Sequence, residues 1–133
     1  MSARDLQFAN AKQWDRGKSI DSFCPFGPYI VTRDEIPDPH NLRIVTRVNG
    51  EVRQEGHTRD MLVDIPKLIA HLSQITLMPG DVIATGSPDG RALNRGAAVV
   101  NSGDLVESEI EGIGVLRNRV IDEPDDDSLN FSD

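Results

Sequence analysis

Residues 42–56 read LRIVTRVNGEVRQEG. Leu42, Ile44, Thr46 and Val48 alternate with Arg43, Val45 and Arg47, the two-residue period of a strand whose faces differ. Asn49-Gly50 supplies the pair of left-handed residues that a type I′ turn needs, and EVRQEG (51–56) leads the chain back. The stretch predicts a β-hairpin and, with it, a fold rich in antiparallel strands.

Downstream, DIPKLIAHLSQI (64–75) predicts a helix. Asp64 is placed to cap it, Pro66 falls in the first turn where no backbone donor is needed, and Ile65, Leu68, Ile69, Leu72 and Ile75 make an apolar stripe. TLMPGDVIATGSPDG (76–90) predicts a turn at Pro79-Gly80, a buried strand Val82–Thr85 and a loop of small residues. GDLVESEIEGIGVLRNRVI (103–121) predicts a second hairpin around Gly112. Glu107 and Glu109 lie on one arm and Arg117 and Arg119 on the other, so opposite charges can pair across it.

Upstream, YIVT (29–32) predicts a short strand. WDRGKSIDSFCPFGP (14–28) breaks regular structure with two glycines and two prolines, yet its Trp14, Ile20, Phe23 and Phe26 require it to pack. Residues 2–13 predict a helix, with Ser2 as its cap and Asp5 as the acidic partner three residues on. There are no internal repeats and no interior linker. The class is α+β.

The chain has 133 residues, enough for one domain and for a core that needs neither disulfide nor structural metal. Its net charge of −8 argues against nucleic acid, whose phosphates need a basic face, and against anionic membrane surfaces. No apolar run reaches the length of a membrane span, and the first residues are too polar for a signal peptide. DEPDDDSLNFSD (122–133), half of it acidic, reads as a disordered, solvated tail. Its acids lack the glycine turn of an EF-hand loop. Cys24 is the only cysteine, which fits a reducing cytoplasm, and its setting among aromatics and prolines predicts a buried small hydrophobe.

Four places carry chemistry. Arg4 and Gln7 are three apart and share a helix face. An arginine can grip a carboxylate with two donors, and a glutamine can donate and accept; the plain alternative is a solvated helix face. Lys18 follows a glycine in an aromatic-rich loop, where partial desolvation would ease loss of its proton or let it hold an oxyanion. The loop TGSP (85–88), with Ser87 inside it, offers hydroxyls and backbone amides to a carboxylate or phosphate, or is an ordinary tight turn. His40, His57 and His71 have no neighbour at metal-ligand spacing and read as structural or exposed. There is no nucleophile elbow, no P-loop and no dinucleotide fingerprint.

Six segments occur in order: SARDLQ, WDRGKSIDSFCPFGPYIV, DPHNLRIVTRVNGEVRQ, MLVDIPKLIAHLS, LMPGDVIATGSP and GDLVESEIEGIGVLRNRV. Together they resemble the C-terminal part of the fumarylacetoacetate hydrolase family, from Met1 to about Ile121. The resemblance implies a β-rich, mixed-sheet roll over 1–121, usually dimeric, holding Mg²⁺ or Mn²⁺ in its mouth. It implies a hydrolase, lyase, decarboxylase or isomerase acting on C–C bonds of 2-oxo or 1,3-dioxo acids. In such chemistry the metal grips a carboxylate and a neighbouring enolisable oxygen and stabilises the enolate.

Residue by residue, the resemblance implies that Arg4 and Gln7 orient substrate and metal-bound water. It sets Lys18 beside metal and substrate. Ser87 stands where the family usually has Thr in T-G-T-P, a contact to the substrate carboxylate. Lys18 and Gln7 are the expected catalytic residues, with Arg4 and Ser87 binding substrate. The family's metal carboxylates, an Asp directly before the position of Met1 and a Glu-x-Glu further upstream, have no counterpart in the chain, nor has its catalytic His-Glu pair. The expectation is therefore a domain truncated at its N-terminus, with no metal ligand of its own. Residues 89–104 also depart from the family pattern. Two further readings stand beside the enzyme: an inactive remnant or binding module that holds no metal, and an unrelated β-rich interaction domain.

Overall fold

A computed structural model describes residues 1–8, 14–88 and 99–122. The chain divides into two compact units, Met1–Ile30 and Val31–Asp133.

The second unit is built on four strands, β1 (Arg43–Val48), β2 (Glu51–His57), β3 (Leu105–Ile110) and β4 (Gly114–Arg119), in the order β2-β1-β3-β4. Every described pairing is antiparallel. The hairpin β1–β2 turns where expected, with Asn49 at φ 51° and Gly50 at φ 81°. Asn49 does more than turn the chain. Its backbone N–H donates to the Leu105 carbonyl (2.9 Å), its Oδ1 accepts from the Leu105 N–H (2.9 Å), and its Nδ2 donates to Asp104 (2.7 Å). The turn of one hairpin thereby holds the first residue of the other.

Register sorts the sheet into two faces. Arg43, Val45 and Arg47 share one with Glu107 and Glu109. Arg47 pairs with Glu109 (2.6 Å), Arg43 with Glu55 (2.5 Å) and Arg117 with Glu107 (2.7 Å). Of the two charge pairs expected within the second hairpin, Glu107–Arg117 forms. Glu109 instead reaches back to β1, and Arg119 donates to the Gly103 carbonyl. Ile44, Thr46 and Val48 occupy the opposite face with Ser108 and Ile110.

β2 carries one residue more than β1 between the pairs Thr46↔Gln54 and Arg47↔Val52, a bulge at Arg53. Because side chains alternate, one extra residue exchanges the faces for everything beyond it. Gln54 and Gly56 therefore lie on the Ile44 face.

Helix α2 (Ile65–Leu72) is capped as expected. Asp64 accepts from the Lys67 N–H, and Pro66 sits in the first turn. Of its apolar stripe none is fully buried, and Ile69 and Ile75 are exposed. Among the described residues only Ile36 and Val45 are buried hydrophobics, a smaller core than a chain of this length can make. One sheet and one eight-residue helix have too little surface to cover both sheet faces.

Two expected strands do not form. Residues 29–32 are not a strand, and Ile30 is 89% exposed; nor are Val82–Thr85, where Val82 is 72% exposed. A run of β-branched residues becomes a strand only when a second segment pairs its N–H and C=O groups, and neither run has one among the described residues. Cys24 is exposed rather than buried. The first helix, α1 (Arg4–Phe8), starts two residues later than expected, with Ala3 rather than Ser2 directly before it, and residues 9–13 of the expected span lie outside the described residues. So do residues 123–133 of the expected tail.

Asn49→Ala removes the side chain that holds Leu105 and sets a Cβ-bearing residue without local hydrogen bonds in the left-handed region. It should cost about 1–2 kcal/mol in a urea melt, and Asn49→Gly, which keeps the turn, should lose less. Asp64 and Asp104 give a second test. Hydrogen bonds from the Lys67 side chain and N–H hold Asp64 below the usual carboxylate range, and those from the Asn101 N–H and the Asn49 side chain do so for Asp104. Stability from both is full above the unfolded carboxylate pKa, about 3.9, and is lost as pH falls through the lower folded values. The urea midpoint should drop on acidification below pH ~4, and less steeply in Asp64→Asn/Asp104→Asn.

Candidate functional site

In the first unit, α1 lies against a 3₁₀ turn, Trp14–Gly17. The Ala3 N–H donates to the Gly17 carbonyl (2.9 Å), and the Gln7 N–H to the Ala3 carbonyl (2.9 Å). Gly17 is buried here for a steric reason. A Cβ on it would stand 2.5 Å from the Ala3 oxygen and 2.8 Å from the Gln7 Cβ. Phe8 and Trp14 meet edge to face, centroids 6.1 Å apart.

Gln7 is the only buried polar residue among the described ones, 1% exposed. The Arg4 guanidinium donates to its Oε1, while its Nε2 has no partner among the described residues. The spacing-based expectation that Arg4 and Gln7 share a helix face thus becomes a contact. The arginine takes the carbonyl end of the amide and fixes which way the NH₂ points. A buried donor left unpaired costs about 1–3 kcal/mol, so this amide is set for an acceptor.

Lys18 follows directly on Gly17, and its N–H donates to the Asp15 carbonyl (2.8 Å). Its side chain is exposed, so the desolvation expected from the aromatic loop is not there. Its charge and that of Arg4 both act on the chain's first residue. Burial first, then the Lys18 charge and, more weakly, that of Arg4 pull the Met1 ammonium below its ordinary pKa. The charges of Lys18 and Arg4 both reach the first residue, and Arg4 also orients the Gln7 amide, so positive charge in this unit favours an anion.

Ser87 belongs to the second unit and is exposed. Its Oγ accepts from Gln54 Nε2 (3.3 Å) and lies 3.3 Å from the Pro88 carbonyl, to which it can donate. A cleft of about 760 Å³ opens beside it, lined by Ile44, His57, Thr58, Met61 and Leu68 among others. The histidines do structural work or none. His40 Nε2 accepts from the Ile65 N–H (3.0 Å), His57 Nδ1 from the Arg59 N–H (3.2 Å), and His71 is exposed. Among the described residues no three of His, Cys, Asp or Glu come together as metal ligands, so these residues do not fit the Mg²⁺ or Mn²⁺ that the resemblance implies.

Gly17, Gln54 and Gly56 escaped the sequence reading. A glycine inside a strand is a sign of close backbone approach, and Gly56 carried that sign.

The family model described as fumarylacetoacetate (FAA) hydrolase C-terminal matches residues 1–121, and the chain belongs to this family. It is 50% identical over 123 residues to the oxaloacetate tautomerase Fahd2a, mitochondrial, of Rattus norvegicus, covering 91% of this chain and 39% of the relative. The chain thus spans about two fifths of the length of such curated relatives. Its fold matches the fumarylacetoacetate hydrolase of psychrophilic Exiguobacterium antarcticum with a TM-score of 0.85 and 47% identity, over 92% of this chain and 44% of the other. A maleylpyruvate hydrolase from Sphingobium sp. SYK-6, in complex with manganese(II) ion and pyruvate, matches with a TM-score of 0.69 and 41% identity, over 76% and 36%. The relatives are enzymes of oxo acids, and the fold class expected from the sequence is the one these structures share.

Gly17→Ala should displace the Gln7 amide without removing it. The expected result is a loss of about 1–3 kcal/mol in a melt and shifted NMR signals of the Gln7 side-chain NH₂, with Gly103→Ala, far from any close contact, leaving those signals in place.

Proposed function

We propose that this chain supplies the substrate-orienting part of an enzyme that cleaves or rearranges C–C bonds of 2-oxo or 1,3-dioxo acids. The observation that carries the reading is the Gln7 amide, buried, oriented by Arg4 and with an NH₂ that has no partner among the described residues. Its acceptor would be a carboxylate or enolate oxygen of the substrate. The positive charges of Arg4 and Lys18 favour that anion, and in the second unit Ser87 offers a hydroxyl to a carboxylate. Lys18, exposed at its place after Gly17, serves as a contact to the anion.

Manganese and pyruvate on a relative support a divalent metal and a 2-oxo acid as the class of ligands. When bound, such a metal supplies Lewis-acid stabilisation of an enolate. The described residues form no ligand set for it. On this reading turnover needs the family's carboxylates, on the same polypeptide or on another, and the working assembly is a homodimer. A second reading is a binding module without catalysis.

A chimera decides between them, with the N-terminal part of the rat tautomerase placed before Met1. Metal-dependent turnover of oxaloacetate or an acylpyruvate is expected, falling about 100-fold in Gln7→Leu, as for the loss of an oxyanion donor. A folded chimera that turns over neither substrate with Mg²⁺ or Mn²⁺ would leave the binding module standing.

A further inference from the structure

The loop Thr85–Pro88 carries the Ser87 hydroxyl, yet it has no strand or helix of its own. None of its N–H or C=O groups enters a backbone–backbone hydrogen bond among the described residues. Gly86 sits at φ 107°, and Thr85, Gly86 and Ser87 are exposed. Left to itself, such a loop would give its hydroxyl no fixed place.

What holds it is β2. The amide nitrogen of Gln54 carries two hydrogens. It lies within donating distance of two acceptors, Ser87 Oγ (3.3 Å) and the Pro88 carbonyl (3.2 Å). Two residues on, and so on the same face, Gly56 receives the Pro88 ring. A Cβ built on Gly56 would overlap the Pro88 Cβ, so no larger residue leaves the ring in place. The bulge at Arg53 makes both contacts possible. Without its extra residue Gln54 would pair with the other parity and point to the face of Arg43 and Arg47.

We infer that Gln54, with Gly56 as its seat, is the positioning residue for Ser87: the bulged strand β2, not the loop itself, sets where the hydroxyl stands. This rests on the reading of Ser87 as a carboxylate contact. The chemistry adds a reason for an amide at position 54. In the free chain the Ser87 hydrogen can point to the Pro88 carbonyl (3.3 Å). Because Gln54 already satisfies that carbonyl, the hydroxyl can turn its hydrogen to an arriving anion without leaving an acceptor bare. Gln54 also occupies a lone pair of Oγ, which leaves the hydroxyl to act as donor.

The test uses the full chain and its Gln54→Leu and Gln54→Glu variants. Hydrogen exchange of the Gly86 and Ser87 amides is read without any ligand, and pyruvate binding is read by NMR titration. Gln54→Leu should speed exchange at both amides about tenfold and weaken pyruvate about tenfold. Adding Ser87→Ala to it should cost little more, because both changes remove the same contact. Gln54→Glu should weaken pyruvate further, since a carboxylate captures the Ser87 hydrogen and repels the anion. If Gln54→Leu loses the hairpin, Gln54→Asn, one methylene too short, and Gly56→Ala, which pushes Pro88 out, carry the same expectations. Wild-type exchange and wild-type affinity in a folded Gln54→Leu chain would overturn the inference. A wild-type chain that binds no pyruvate would sink the carboxylate reading, while the exchange rates would still decide whether β2 holds the loop.

Discussion

The second unit hangs on the left-handed turn at Asn49-Gly50. A two-residue turn of this kind admits one strand register and matches the right-handed twist of its arms. Here it also reaches sideways. The same asparagine that turns β1 into β2 brackets the start of β3 through both its backbone and its side chain. Three strands therefore take their alignment from one residue. Glycine could make the turn and keep the backbone bond to the Leu105 carbonyl, but it could not accept from the Leu105 N–H or hold Asp104, which is a physical reason for asparagine at this place.

From that alignment the two faces of the sheet follow. One is ionic, with arginines of β1 and β4 answering glutamates of β2 and β3. These pairs are partly exposed, so each adds little to stability. Their placement still penalises slipped registers, which would set like charges opposite one another. Val45 lies in the middle of this face and is the most buried hydrophobic residue described. The other face, made of Ile44, Thr46 and their neighbours, receives the Thr85–Pro88 loop. The single extra residue at Arg53 decides which face Gln54 and Gly56 present.

Both hairpins and helix α2 were legible in the sequence because their signals are local: alternation, a left-handed pair, a capping aspartate, a proline in the first turn. The runs at 29–32 and 82–85 carry the same apolar composition, but a strand is a relation between segments, and composition cannot supply the partner. Cys24 and Lys18 misled for a similar reason, since aromatic neighbours in sequence need not cover a side chain in space. Gln7 was legible by its spacing from Arg4 and by family resemblance. Its burial goes with the close approach of Gly17, and only the fold brings that residue against it. Gln54 stayed hidden because strict alternation, followed back from the turn, assigns it to the wrong face. A bulge breaks that count and leaves no mark in the composition.

The strand order has a kinetic meaning as well. β1–β2 and β3–β4 close through short turns, whereas joining β1 to β3 brings together residues such as Thr46 and Ser108, 62 apart. Closing a segment of that length costs about 2 kcal/mol more chain entropy than closing a hairpin. Nothing repays this until the central ladder begins to form. The hairpins are thus the quick, local part of this sheet. The seam between them, where Asn49 grips Leu105, is the slow, long-range part, so the contact that fixes the register also lies at the step that limits how fast the sheet assembles.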